Sequence, residues 1–228
     1  MTLIQTLFLD AGGVLVNPNW ERVSAALERR GVSATAAQLA AAEPRAKRDL
    51  DTEARIVATT DRSRSWLYFD SVLTHAGVAL SEATDAALEE LREYHARFNL
   101  WECVPEEVVP CLRRFRSMGL RLVVISNANG TLRDHFRRLG LDAHVDDLLD
   151  SHDEKVEKPD PRIFEVALSR SGARRETTVH VGDFYNVDVV GARAAGLRAV
   201  LLDVAGLYEG FDCPRVASLT ALADTLRG

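Results

Sequence analysis

Cysteine is scarce in this chain of 228 residues: there are three, Cys103, Cys111 and Cys213, odd in number and without C-x-x-C spacing. That excludes a disulfide framework or a thiolate zinc site and fits reduced thiols, so a cytoplasmic location is expected. An excess of positive charge is also missing, with 28 Lys and Arg against 34 Asp and Glu and a formal net charge of -6. A grip on nucleic acid or on an anionic membrane surface needs clustered cations, so neither partner is expected. Any anionic substrate must be held by a few local positive groups. No apolar run approaches the ~20 residues of a membrane span. The longest early one, Leu3 to Leu9, is short, has neither a basic leader nor a small-residue cleavage pattern, and reads as no targeting segment. Repeats, low-complexity tracts and long linkers are absent as well.

What remains is an ordinary globular composition, 46% hydrophobic and 27% charged. The length suffices to bury a substantial core, and a monomer or homodimer acting on a small molecule is expected. Leu3 to Leu9 reads as a buried strand ending in Asp10-Ala11-Gly12-Gly13, where the backbone turns as glycine allows. From Trp20 to about Phe98, Ala, Leu, Glu and Arg dominate and apolar residues recur at helical spacing, which predicts several helices. Ser81 is placed to cap one of them, running to about Phe98. A further helix is predicted over Glu106 to Met118, ended by Gly119. Beyond it, strands at Leu122 to Ile125, Val145 to Leu149, Thr178 to Val181 and Ala199 to Leu202 alternate with helices at Leu132 to Leu139, Arg162 to Arg170, Val187 to Ala195 and Leu219 to Leu226. Such alternation implies an α/β fold with a parallel sheet covered on both faces. The expected division is a discontinuous core of residues 1–16 and 103–228 with an inserted helical segment, 17–102.

In open parallel sheets, ligands bind outside the carboxyl ends of the strands. Four groups fall at that edge. Asp10 follows the first strand and is a candidate nucleophile that would form an aspartyl-phosphate, although an aspartate after a strand also commonly caps a turn. The Gly12 carbonyl could ligate a magnesium ion, since hard cations accept backbone oxygens. Asp183 and Asp188, in Gly182-Asp183-Phe184-Tyr185-Asn186-Val187-Asp188, add two carboxylates whose mutual repulsion near Asp10 predicts a divalent cation. Asp188 also suits the first turn of a helix on dipole grounds alone. Ser126 and Asn127 would donate to phosphoryl oxygens, and Lys158, in Glu157-Lys158-Pro159-Asp160-Pro161, would balance the charge of Asp10 and of the phosphoryl group.

In this order and at these strand ends, the four groups resemble the signature of the haloacid dehalogenase superfamily of aspartate-nucleophile hydrolases. Leu122 to Asn127, Lys158 to Phe164 and His180 to Gly196 are similar to its subgroup with a helical cap inserted after the first motif. The resemblance covers nearly the whole chain. It implies a Rossmann-like core, a mobile cap over Asp10, and magnesium bound by Asp10, the Gly12 carbonyl and Asp183, serving phosphatase chemistry on a small phosphorylated metabolite.

One departure stands out. Phosphatases of that superfamily usually carry a second aspartate two residues after the nucleophile, which protonates the leaving oxygen and then activates water; here it is Gly12. Losing a general acid/base forfeits ~10²–10⁴ in rate. Three substitutes are open: a residue of the cap (His75, Asp70 or Glu102), an ordered water, or a leaving group that needs no proton. Lys155, where relatives often have a small residue, adds charge before Lys158. The missing acid also opens a metal-independent 2-haloacid dehalogenase or a weakened phosphate-binding protein as alternatives, but two extra carboxylates without a cation would repel an anionic haloacid. Phosphonate-cleaving relatives also have a small residue there, and they use a cap lysine; this segment has Lys47. Trp20, Arg22, Trp66, Tyr68 and Trp101 are candidates for lining the cap or simply for packing its core. Asn17 to Asn19 and Leu100 to Val104 are the expected hinges.

Overall fold

The computed structural model describes residues 3–226, and the chain divides into two compact units: one runs to Asn17 and resumes at Cys103, the other spans Pro18–Glu102. The first strand, β1 (Thr6–Leu9), is buried along its whole length. It begins later than the apolar run suggests, because Leu3 lies 77% exposed before the sheet register starts.

The Pro18–Glu102 unit is entirely helical, with α1 (Trp20–Glu28), α2 (Ala36–Leu50), α3 (Glu53–Ala58), α4 (Asp61–His75) and α5 (Glu82–Phe98). Each starts where a side chain accepts from an otherwise orphaned amide: Asn19, Thr35, Thr52, Thr60 and Ser81 in turn. Thr35 with Gln38 and Ser81 with Thr84 complete reciprocal capping boxes. The aromatics form the unit's core. Trp20 and Tyr68 are buried, and Phe69 lies 6.0 Å from Trp20 and 5.7 Å from Trp101, ring centre to ring centre. Packing of this kind accounts for Trp20, Tyr68 and Trp101 without a ligand.

The other unit continues with α6 (Val108–Ser117), β2 (Arg121–Ser126), α7 (Leu132–Arg138), β3 (Asp147–Asp150), α8 (Ser151–Glu154) and α9 (Pro161–Ser171). It closes with β4 (Thr178–Gly182), α10 (Val190–Ala194), β5 (Arg198–Leu202), the two-residue β6 (Arg215–Val216) and α11 (Leu219–Thr225). All strands are parallel, in the order β3-β2-β1-β4-β5-β6. This is a Rossmann-like α/β sheet. Phe8, Val123 and Ile125 pack on Ile163, Phe164 and Ala167 of α9 and on Ala192 of α10. The residues that alternate with them, Leu7, Leu9, Leu122 and Val124, are equally inaccessible, so both faces of the sheet are covered. The chain reverses direction across the sheet at β1, with Leu9 paired to Val124 of β2 on one side and Val181 of β4 on the other. Ligands of such sheets bind at that switch point. Among the described residues no helix is long and apolar enough to cross a membrane.

The helix expected over Val187 to Ala195 starts differently. Tyr185–Val189 form a π-helical turn, and regular α-helix begins only at Val190. The wide turn lets Asp188 point back toward the sheet, and insertions of this kind concentrate at functional sites. Gly191 then brings α10 against the loop before α9: a Cβ there would lie 2.8 Å from Cα and 2.9 Å from the carbonyl oxygen of Pro159. Backbone cannot step aside as a side-chain tip does. Gly191→Ala is therefore expected to destabilise the protein by about 1–3 kcal/mol, lowering the thermal midpoint by roughly 2–4 °C per kcal/mol. A thermal scan in which the variant melts with the parent would show that the Pro159 loop yields freely.

Candidate active site

Residues from three distant segments meet at the carboxyl edge of β1 and β4. Asp10 leaves β1 with its amide donating to the Val181 carbonyl of β4 at 2.9 Å, which fixes its position between the two strands. The turn that follows places its positive φ, 75°, on Gly13. Asp183, next after β4, is buried. Asp10, Asp183 and Asp188 each bring a carboxylate oxygen within 4.8 Å of the others.

Lys158 lies among them, 1% exposed, its Nζ 2.7 Å from Asp10 Oδ1 and 2.7 Å from Asp188 Oδ1. The loop that carries it is clamped to the end of β2: Asn127 Nδ2 donates to the Lys158 carbonyl at 2.9 Å, and the Lys158 amide donates to Asn127 Oδ1 at 2.8 Å. Both polar ends of the Asn127 side chain are thus engaged. Ser126 ends β2, buried, with its hydroxyl only weakly held by the Asn127 carbonyl at 3.5 Å.

Asp188 is more than a helix-dipole acid. It is 1% exposed; Oδ1 accepts from Lys158 and, at 3.0 Å, from His180 Nε2, while Oδ2 accepts from the Phe184 amide at 3.0 Å. This close seat requires Gly182, since a Cβ there would fall 2.1 Å from Asp188 Cγ. His180, fully buried in β4 with its ring edge-on to Phe164 at 5.0 Å, is the residue that sequence reasoning missed. The only available signal was a polar residue in the middle of an apolar strand.

The electrostatics follow from the crowding. Burial pushes Asp10 up to about 8, with Lys158 opposing and the neighbouring Asp188 and Asp183 reinforcing the rise. Burial acts the same way on Asp188, but Lys158 and His180 outweigh it and hold its carboxyl well below the ordinary range. Lys158 moves upward despite its burial because two carboxylates face it, and burial keeps His180 neutral. Three carboxylates against one ammonium leave a deficit of two positive charges. Together with the all-oxygen donors, that fits a hard divalent cation such as magnesium.

Of the residues considered as substitute acids, Glu102 and His75 are engaged within the helical unit. Glu102 accepts from Asn19 Nδ2 (2.9 Å), Arg22 Nε (3.0 Å) and Tyr94 Oη (2.8 Å); burial raises its pKa, but these bonds bring it below the ordinary value, so it stays ionised. His75 Nε2 lies 2.7 Å from Asp49, and Lys47 pairs with Glu43 at 3.0 Å. Asp70 is the one shifted toward protonation, first by its burial and then by Asp85.

A family model described as haloacid dehalogenase-like hydrolase matches residues 4–196. The mouse haloacid dehalogenase-like hydrolase domain-containing protein 3 is 35% identical over 144 residues, 61% of this chain and 56% of that protein. A phosphoserine phosphatase of Thermus thermophilus is 36% identical over 136 residues, 59% of this chain and 53% of its own. The chain thus spans about half the length of the curated relatives it matches. Among solved structures, the putative HAD-hydrolase YfnB of Bacillus subtilis, bound to magnesium, superposes with a TM-score of 0.71 over the whole of both chains at 16% identity, a likeness of fold.

The charge deficit has a measurable signature. With Asp10 at about 8 when folded and 3.8 as its ordinary value, the folded state holds a proton that the unfolded state has lost across that interval. Metal-free protein should therefore lose stability as pH rises from about 4 to about 8, by linkage. In Asp10→Asn this component of the pH dependence should vanish. Lys158→Met should cost about 3–5 kcal/mol at neutral pH, because it strands the buried Asp188 carboxylate. Denaturant melts of the three proteins across that range check both statements, and a parent whose stability climbs toward pH 8 would refute the first.

Proposed function

The chain belongs to the haloacid dehalogenase-like hydrolase family, and on that premise we propose that it is a magnesium-dependent phosphatase that passes the phosphoryl group of a small substrate through Asp10. The observation that carries this reading is the convergence of Asp10, Asp183 and Asp188 within 4.8 Å around one buried lysine. The phosphatase names among the relatives agree with it.

In this reading Asp10 attacks phosphorus, forming an aspartyl-phosphate that water then cleaves. Lys158 opposes the protonation of Asp10, orients its carboxyl group and meets the phosphoryl charge as it transfers. Ser126 donates its hydroxyl, and Asn127 its backbone amide, to phosphoryl oxygens. Asp10, the Gly12 carbonyl and Asp183 hold magnesium, which when bound supplies positive charge to offset the phosphoryl oxygens. Asp188, whose oxygens are both taken up by Lys158, His180 and the Phe184 amide, acts chiefly by fixing Lys158 and would add its negative charge to those that attract the cation. A metal-independent dehalogenase suits the site less well, because its anionic substrate would meet the uncompensated carboxylates. The Pro18–Glu102 unit is proposed as the cap that selects the substrate.

A screen of phosphorylated metabolites with and without magnesium tests the reading. Turnover should require the metal, disappear with chelator, and fall by about 10⁴-fold or more in Asp10→Asn. Magnesium should also raise the thermal midpoint, by the equivalent of about 2.7 kcal/mol at a hundredfold excess over its dissociation constant. Hydrolysis that is indifferent to chelator would reject it.

A further inference from the structure

We infer that the substrates of this site are phosphoryl compounds whose leaving group departs as a stable anion without taking a proton, namely acyl phosphates, phosphoanhydrides and aryl phosphates. The inference rests on the phosphatase reading above and narrows it.

A departing alkoxide needs a proton at the moment of bond cleavage. Among the described residues at the carboxyl edge of this sheet, Lys158, Asp188, His180, Asp150 and Asp203 are each engaged with a partner inside the core unit. Lys158 donates to Asp10 Oδ1 and Asp188 Oδ1 at 2.7 Å each, and surrendering its proton would leave those carboxylates facing one another uncompensated. Asp188 accepts through both oxygens. His180 directs Nε2 at Asp188, 3.0 Å away, and has no exposure from which to meet a substrate. Asp150, at the end of β3, accepts from the amides of Gly130 (2.9 Å), Leu132 (3.2 Å) and His152 (2.9 Å). Asp203, after β5, accepts from those of Leu207 (2.8 Å) and Tyr208 (3.1 Å). The Ser126 hydroxyl is no stronger an acid than the alcohol it would have to protonate. Position 12, two residues beyond the nucleophile, carries no side chain, and left-handed backbone is not what calls for glycine there, since the positive φ of the turn falls on Gly13.

The transfer balances without an acid when the leaving group is stable. An Asp10 oxygen bonds to phosphorus, the bond from phosphorus to the leaving oxygen breaks, and its electron pair stays on that oxygen as carboxylate, phosphate or phenolate. Water then attacks phosphorus, the bond to Asp10 breaks and regenerates the carboxylate, and the water proton passes to phosphate or solvent. The same lack of a base that slows this second step makes the aspartyl-phosphate accumulate.

The test uses the full chain with magnesium and four probes: acetyl phosphate, 4-nitrophenyl phosphate, phenyl phosphate and glycerol 3-phosphate. We expect the first two to be cleaved at least about 10²-fold faster than the alkyl ester. A burst of one leaving group per protein should precede steady turnover, and intact-mass measurement should find one phosphoryl group that is absent from Asp10→Asn. In Gly12→Asp the gap between alkyl and aryl substrates should narrow at least about 10²-fold, the lower end of what an added acid supplies. If that variant fails to fold, the probe series on the parent decides. Glycerol 3-phosphate cleaved within tenfold of 4-nitrophenyl phosphate would overturn the substrate class while leaving the phosphatase reading intact. Neither turnover nor adduct with any probe would overturn both.

Discussion

The ammonium group of Lys158, held between Asp10 and Asp188, is the contact on which the site depends. It joins the end of β1 to the turn after β4, and the loop that carries it is tied to the end of β2 through Asn127. Three segments far apart in sequence are registered by one cation. Such buried charge is poor value as stability, because desolvation takes back most of what attraction gives, and its use lies in fixing geometry. The neighbouring features serve the same end: Gly182 leaves room for the Asp188 carboxyl, the π-helical turn aims it inward, and His180 occupies the far side of the oxygen that Lys158 shares.

What the sequence made legible was local. The capping box at Ser81 and Thr84 announces α5 because its partners are three residues apart, and the β-branched run from Leu122 to Ile125 announces β2 through its own apolarity. The carboxyl-edge positions of Asp10, Ser126 and Asp183 follow from knowing where strands stop. The tie between Asn127 and Lys158 spans 31 residues and uses the Lys158 backbone, so the residue types along the chain do not announce it. His180 was hidden by alternation, since a histidine in a buried strand looks like any tolerated polar residue until Asp188 is known to turn back upon it. The two-residue β6 is too short for any periodicity, and the π-helical turn depends on a contact with Lys158, thirty positions away.

Fold alone does not choose among the chemistries its family hosts. Charge does. A nucleophilic carboxylate backed by one lysine is balanced by itself and could accept an anionic carbon electrophile. Here two further carboxylates crowd the same 4.8 Å, and they add to the burial that takes Asp10 up to about 8, so the site favours added positive charge. In the proposed phosphatase reading a divalent cation would restore the nucleophile to its ionised form and offset an incoming phosphoryl group in the same place, so the demand of the protein and that of the substrate would be met together.

That shared demand constrains Gly12. An aspartate at this position would add a fourth carboxylate to a cluster that already disfavours ionisation of its third, and each added acid raises the charge that the cation and Lys158 must offset. The turn's positive φ sits on Gly13, so left-handed backbone is not what calls for glycine at position 12. In the proposed reading glycine would leave fewer carboxylates for the lysine and a single cation to offset, at the cost of proton transfer to and from the reacting oxygens. A site organised in this way favours formation of the phosphoryl-aspartate over its breakdown, because attack needs only an ionised carboxylate whereas release needs a deprotonated water.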